Sequence, residues 1–140
     1  MKKRIVLIIS LCLVCAVCIG VSVWYFAPVF FLEDISAENV SRIDVFCGST
    51  GSRFTVTDTD DVKHIVYNIR SVDFSRGKIS SNYDGFSFSL TFFGRNGEEI
   101  DAFIVDGDNV IRDDPFFYNC EDGALCFEYL RGLEAALTEK

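Results

Sequence analysis

Residues 86–114 read FSFSLTFFGRNGEEIDAFIVDGDNVIRDD, and the period of their apolar positions decides the fold class. Phe86, Phe88, Leu90 and Phe92 alternate with Ser87, Ser89, Thr91 and Phe93, the two-residue repeat of a strand with one strongly apolar face. The returning segment sets Ile100, Ala102 and Ile104 on one side and Asp101, Phe103 and Val105 on the other. Asn96-Gly97 and Asp106-Gly107 are turn dipeptides, so this stretch predicts an antiparallel meander whose third strand covers Asn109–Arg112. Register depends on loop length. A two-residue Asn96-Gly97 loop sets Phe92 against Asp101 and leaves the apolar faces out of phase. A three-residue Arg95-Asn96-Gly97 loop, with Gly97 in a left-handed bulge position, sets Phe92 against Ile100, Leu90 against Ala102 and Phe88 against Ile104. The second arrangement is expected. It leaves Phe93, Phe103 and Val105 on the opposite face, either covered by Phe116, Phe117 or a neighbouring segment, or exposed as the kind of patch that marks a partner site.

Working outward toward the N-terminus, VSRIDVFC over Val40–Cys47 separates Ile43, Val45 and Cys47 from Arg42, Asp44 and Phe46 and reads as a strand. Gly48–Gly51 is a turn, and Ser52–Thr57 reads as the returning strand. The period then changes. Val62, Ile65, Val66 and Ile69 fall at i, i+3, i+4 and i+7, which predicts a helix over 60–71 with Asp58 or Asp60 as N-cap acceptor. Phe74–Asp84, rich in Ser, Gly and Asn, reads as a loop. Toward the other end, Cys126, Leu130, Leu133 and Leu137 predict a closing amphipathic helix over 123–137. The order β-β-α-β-β-β-α implies an α+β domain: a small antiparallel sheet with both helices packed on one face.

Residues 1–32 are of another kind. Lys2, Lys3 and Arg4 precede an apolar run from Ile5 to Phe26, broken only by Ser10, Gly20 and Ser22. Those 22 residues would span roughly 33 Å as a helix, matching a bilayer core and exceeding the apolar region of a cleaved signal peptide. An uncleaved signal-anchor is expected, with residues 33–140 forming an extracytoplasmic domain of a single-pass cell-membrane protein. The basic start places the N-terminus in the cytoplasm. Trp24 and Tyr25 belong at the outer headgroup layer, Pro28 ends the helix, and Val29–Leu32 are expected along the interface. Removing the three N-terminal basic residues leaves ten basic against 21 acidic residues, a net charge near −11. Phosphate backbones repel such a domain, so nucleic acid is not an expected partner.

The chemistry-bearing residues are sparse. Cys12, Cys15 and Cys18 follow Leu11, Val14 and Val17, not the small residue a lipobox needs, and form one stripe suited to helix packing in the bilayer. In the outer part Cys120 and Cys126 could bridge across the intervening turn; Cys47 competes as a partner of Cys126, or all three remain free. The one histidine, His64, falls on the polar flank of its helix. Asp58, Asp60 and Asp61 lack the spacing of a calcium loop, as do Asp106, Asp108 and Asn109. No metal, cofactor or catalytic motif is expected.

A basic start, one membrane segment, a short strand pair, the Asp-capped helix TDTDDVKHIVYNI, an Asn-Gly meander and the stretch FFYNCEDGALCFEYLRGLE form a recognisable layout. Over most of residues 33–137 it resembles uncharacterised small membrane-anchored extracytoplasmic domains of Gram-positive, clostridia-like bacteria. The resemblance implies no activity and no functional residues; the chain also departs from the lipoprotein members by lacking a lipobox. The expected function is a non-enzymatic binding or accessory module for a protein, peptide or cell-envelope ligand, tethered inhibitors and immunity-like proteins included. Its contact surface is expected at the 74–84 loop, Tyr83 in particular, and at Phe93, Phe103 and Val105. The alternative is a cell-surface hydrolase using carboxylates such as Asp84, Asp113 and Asp114.

Overall fold

A computed structural model describes residues 2–138. Its elements are α1 (Lys2–Phe26), β1 (Val40–Cys47), β2 (Arg53–Val56), α2 (Thr59–Arg70), β3 (Phe74–Ile79), β4 (Phe88–Gly94), β5 (Glu99–Val105), β6 (Val110–Asp113), β7 (Phe116–Cys120) and α3 (Phe127–Thr138). The seven strands form one antiparallel sheet in the order β2-β1-β4-β5-β6-β7-β3. The fold is α+β, as the periods predict. The expected meander is its centre: β1 adds to one side of β4, with Ile43 opposite Phe92, Val45 opposite Leu90 and Cys47 opposite Phe88.

One face of this sheet holds the core. Ile43, Val45, Val56, Phe88, Leu90 and Phe92 project from it toward Val62, Ile65, Val66 and Ile69 of α2 and Leu130 of α3, all at most 2 % exposed. The stripe of α2 is the one its sequence spells. Asp58 caps the helix, its carboxylate accepting from the backbone N–H groups of Asp60 (2.9 Å) and Asp61 (3.3 Å). Joining the edge strands β2 and β3, α2 carries the chain from one edge of the sheet to the other on its covered side.

The hairpin register differs from the expected one. Phe88 pairs with Val105, Leu90 with Phe103 and Phe92 with Asp101; a bulge then sets Phe93 against Glu99. Gly97 has φ +80 in the turn, and the extra residue, Ile100, is accommodated within the strand. Two-residue periodicity therefore inverts the faces of β5: Phe103 and Val105 are 4 % and 0 % exposed, while Ala102 and Ile104 point outward. The physical reason is area. Burying Phe103 and Val105 removes more apolar surface from water than Ala102 and Ile104 would, by about 2 kcal/mol. The cost falls on Asp101, which now shares the core side at the sheet's end.

Two further expectations are corrected, and one strand was not foreseen. Phe74–Ile79 is an edge strand and not a loop, because β7 hydrogen-bonds one side of it and Val29 bridges the other at Phe74 (2.8 and 3.2 Å). Phe116–Cys120 is the strand beside it. Within Val29–Leu32, expected along the interface, Phe31 and Leu32 belong to the domain core instead, the Phe31 ring packing 5.1–5.2 Å from Phe74, Phe103 and Tyr118. Only Phe30 of this segment faces outward.

Candidate functional site

With α2 and α3 on one side, the other side of the sheet carries its own pattern. Cross-strand partners there are cations over rings. Arg42 lies opposite Phe93 with its guanidinium 3.9 Å from the ring centroid, and Arg53 lies opposite Phe46 at 4.1 Å. Phe86 packs on Phe46 at 5.4 Å, and Asp44 between the two arginines accepts from Thr55 (3.0 Å) and pairs with Arg42 (3.4 Å). Asp44, Phe46, Arg53, Thr55, Ser89 and Thr91 line a shallow groove of about 320 Å³ across β2, β1 and β4.

The β6–β7 half of the same face is covered by the loop that follows β3. Tyr83 stacks edge-on to Phe117 at 5.2 Å, Lys78 sits 5.2 and 5.0 Å from those two rings, and Arg112 donates to the carbonyls of Tyr83 (2.8 Å) and Gly85 (3.0 Å). Arg112 also pairs with Asp114 (3.5 Å), whose carboxylate accepts from the Ser80 hydroxyl. What remains open is the half made by β2, β1, β4 and β5.

At the β3 edge the end of α1 is bound directly to the sheet. Arg76 donates to the carbonyls of Trp24 (2.9 Å) and Ala27 (3.2 Å), and its guanidinium stacks 4.4 Å from the Trp24 ring centroid. Tyr25 donates its hydroxyl to the Gly77 carbonyl (3.1 Å), and Phe116 packs against both rings at 6.2 and 6.4 Å. Arg76 thus acts as a C-cap from another element, a cation at the negative end of the helix. α1 itself is one helix long and apolar enough to cross a membrane, and its side chains from Lys3 to Trp24 are exposed.

No protein-family model, curated protein or solved structure matches the chain.

Of the expected surface residues, Tyr83 and Phe93 are on the non-helical face but two strands, β5 and β6, separate β4 from β7, so they do not form one patch. Phe103 and Val105 are inside the core and belong to no surface. The residues that do share the face with Phe93 are Phe46, Arg42 and Arg53. The alternation of Arg42 and Phe46 with Ile43, Val45 and Cys47 was legible in β1, whereas the stacking of each arginine on a ring needed the strand pairings.

Cys47, Cys120 and Cys126 are free thiols in this structure, one of the arrangements the sequence leaves open. Burial pushes the thiols of Cys120 and Cys126 up to about 11, which disfavours the nucleophilic thiolate. His64 is exposed and stacks 4.1 Å from Tyr129. The carboxylates split by side: Asp114 is held by Ser80 and Arg112, Asp84 stands exposed on the loop, and Asp113 is close enough to Asp101 to feel its charge. Desolvation raises the pKa of both Asp101 and Asp113, and the Asp101 charge raises that of Asp113 further. Among the described residues no group of three or more His, Cys, Asp or Glu side chains is placed to hold a metal ion.

Proposed function

We propose that the chain is a membrane-tethered, non-enzymatic binding or accessory module, held by α1 with its N-terminus in the cytoplasm and its α+β domain outside the cell membrane. The open half of the sheet face engages an extended segment of an envelope or secreted protein carrying acidic and apolar side chains. The observation that supports this is the pairing of Arg42 with Phe93 and Arg53 with Phe46 on a face no helix covers. A guanidinium stacked on a ring keeps its N–H donors at its edge, where a carboxylate can receive them, and the ring beneath supplies apolar area. These cations stand out on a chain of net charge −8. The Lys2–Arg4 cluster ahead of the span supports the orientation.

The test is site-specific photo-crosslinking in the native membrane, with a photoreactive phenylalanine at position 46 or 93 and a control at Tyr67 on α2. A discrete adduct from positions 46 and 93, lost on Arg42→Glu/Arg53→Glu, is the expected result. Equal adducts from position 67, or adducts indifferent to the charge reversal, would sink the assignment of the face.

A further inference from the structure

The segment joining α1 to the sheet is too short to be a stalk. Helix α1 runs to Phe26, and Val29 is already hydrogen-bonded to Phe74. Arg76 and Tyr25 bind the same strand to the last turn of the helix, so β3 cannot move away from the end of α1 without breaking three hydrogen bonds and a ring stack. Wherever α1 leaves the bilayer, β3 is there too.

The residues that this geometry carries to the membrane surface are unlike the rest of the domain. Ile79, at the end of β3, is 65 % exposed, more than any other large apolar side chain beyond α1, and Phe30 is 43 % exposed beside the same strand. A β-edge ending in a bare isoleucine is a liability in water. An exposed cation, Lys78, precedes it on the strand, and anionic headgroups attract such residues near the surface. Trp24, Tyr25 and Phe26 add aromatic rings of the kind that settle at headgroup level.

We propose that the β3 edge, through Lys78, Ile79 and Phe30, sits in the headgroup layer of the bilayer that α1 crosses, so that the domain is docked on the lipid surface in one orientation. The occupant of this apolar edge is lipid, supplied by the span itself. The opposite edge, β2, with its Arg53–Phe46 groove, is then the part of the sheet presented farthest from the membrane. This rests on the reading of α1 as a membrane span.

Trp24 is the sole tryptophan, which makes fluorescence the direct test. The full chain is reconstituted into vesicles of phosphatidylcholine and phosphatidylglycerol containing headgroup-nitroxide lipid. Three variants in a Trp24→Phe background carry Ile79→Trp, Phe30→Trp or Tyr67→Trp, the last on the exposed side of α2. Quenching at positions 79 and 30 several-fold stronger than at 67, with blue-shifted emission, is the expected result; position 30 serves if the change at 79 perturbs the strand. Quenching at 79 and 30 no greater than at 67, while the wild-type Trp24 is quenched and the chain floats with the vesicles, overturns the docking and leaves the anchor standing. Loss of both flotation and Trp24 quenching overturns the anchor, and the docking with it.

Discussion

Asp58 and Asp101 are both single carboxylates, and the chain uses them in opposite ways. Asp58 is solvated and spends its charge on the first turn of α2, where two backbone donors need an acceptor. Replacing it in Asp58→Ala should cost about 1 kcal/mol, read as a lower urea midpoint with unchanged slope. Asp101 and Asp113 are partly desolvated near one another, and their folded-state pKa values lie above the ordinary 3.8. A raised acid favours the folded state while it is protonated, below its unfolded pKa. That contribution is lost as pH rises through the raised value. The contribution of this pair should therefore fall as pH climbs from just under 4, and Asp101→Asn, whose amide oxygen can still accept from the Ala102 N–H, should make stability rise more steeply, or fall less, with pH than in wild type. A urea titration at several pH values checks it; an unchanged slope would show that burial at this position costs nothing. With its thiol held at about 11, Cys126 should alkylate at pH 8 about a hundredfold more slowly in the folded chain than after unfolding, followed by mass. The cap at Asp58 was readable from sequence because it is a local arrangement. The environment of Asp101 was not, because it depends on which residue of β4 it faces.

At the scale of elements, β5 shows where alternation stops being informative. Ile100, Ala102 and Ile104 make as good a local stripe as Phe103 and Val105, and nothing within the strand chooses between them. The choice is made by β4 and the core, through a bulge between Phe92 and Phe93 and their partners. The two registers predict opposite mutational costs. Phe103→Ala should lose about 3–4 kcal/mol by emptying core volume, and Ile104→Ala less than about 1 kcal/mol. Comparable losses for the two would contradict the observed register. For β3 the reason is different: its sequence lacks both a regular apolar stripe and strand-forming composition, and its pairing with β7 joins residues more than 35 positions apart. A strand sustained by neighbours on both sides needs little propensity of its own.

Across the whole molecule, the two faces of the sheet are covered unequally. Both helices of the domain take one face, the loop after β3 takes part of the other, and the remaining half carries stacked arginines. Exposed cation–ring pairs are worth about 0.5–1 kcal/mol each, so Arg42→Glu/Arg53→Glu should leave the thermal midpoint within a few degrees of wild type while abolishing partner contact. A large loss of stability would assign those side chains to folding and not to recognition. At the β3 end, the same sheet is joined to α1 without a flexible spacer, so the orientation of the open face is set by the helix and not by a linker.

By itself the sequence determined the long apolar N-terminal helix, the α+β class, the stripe and cap of α2, and the sidedness of β1, because each depends on neighbours a few residues away. The tertiary structure decided the register of β5, the strands β3 and β7, the burial of Phe31 and Leu32, and the company each surface arginine keeps. Those depend on hydrogen bonds and buried area shared between distant segments, and the period within any one segment carries no information about its partner.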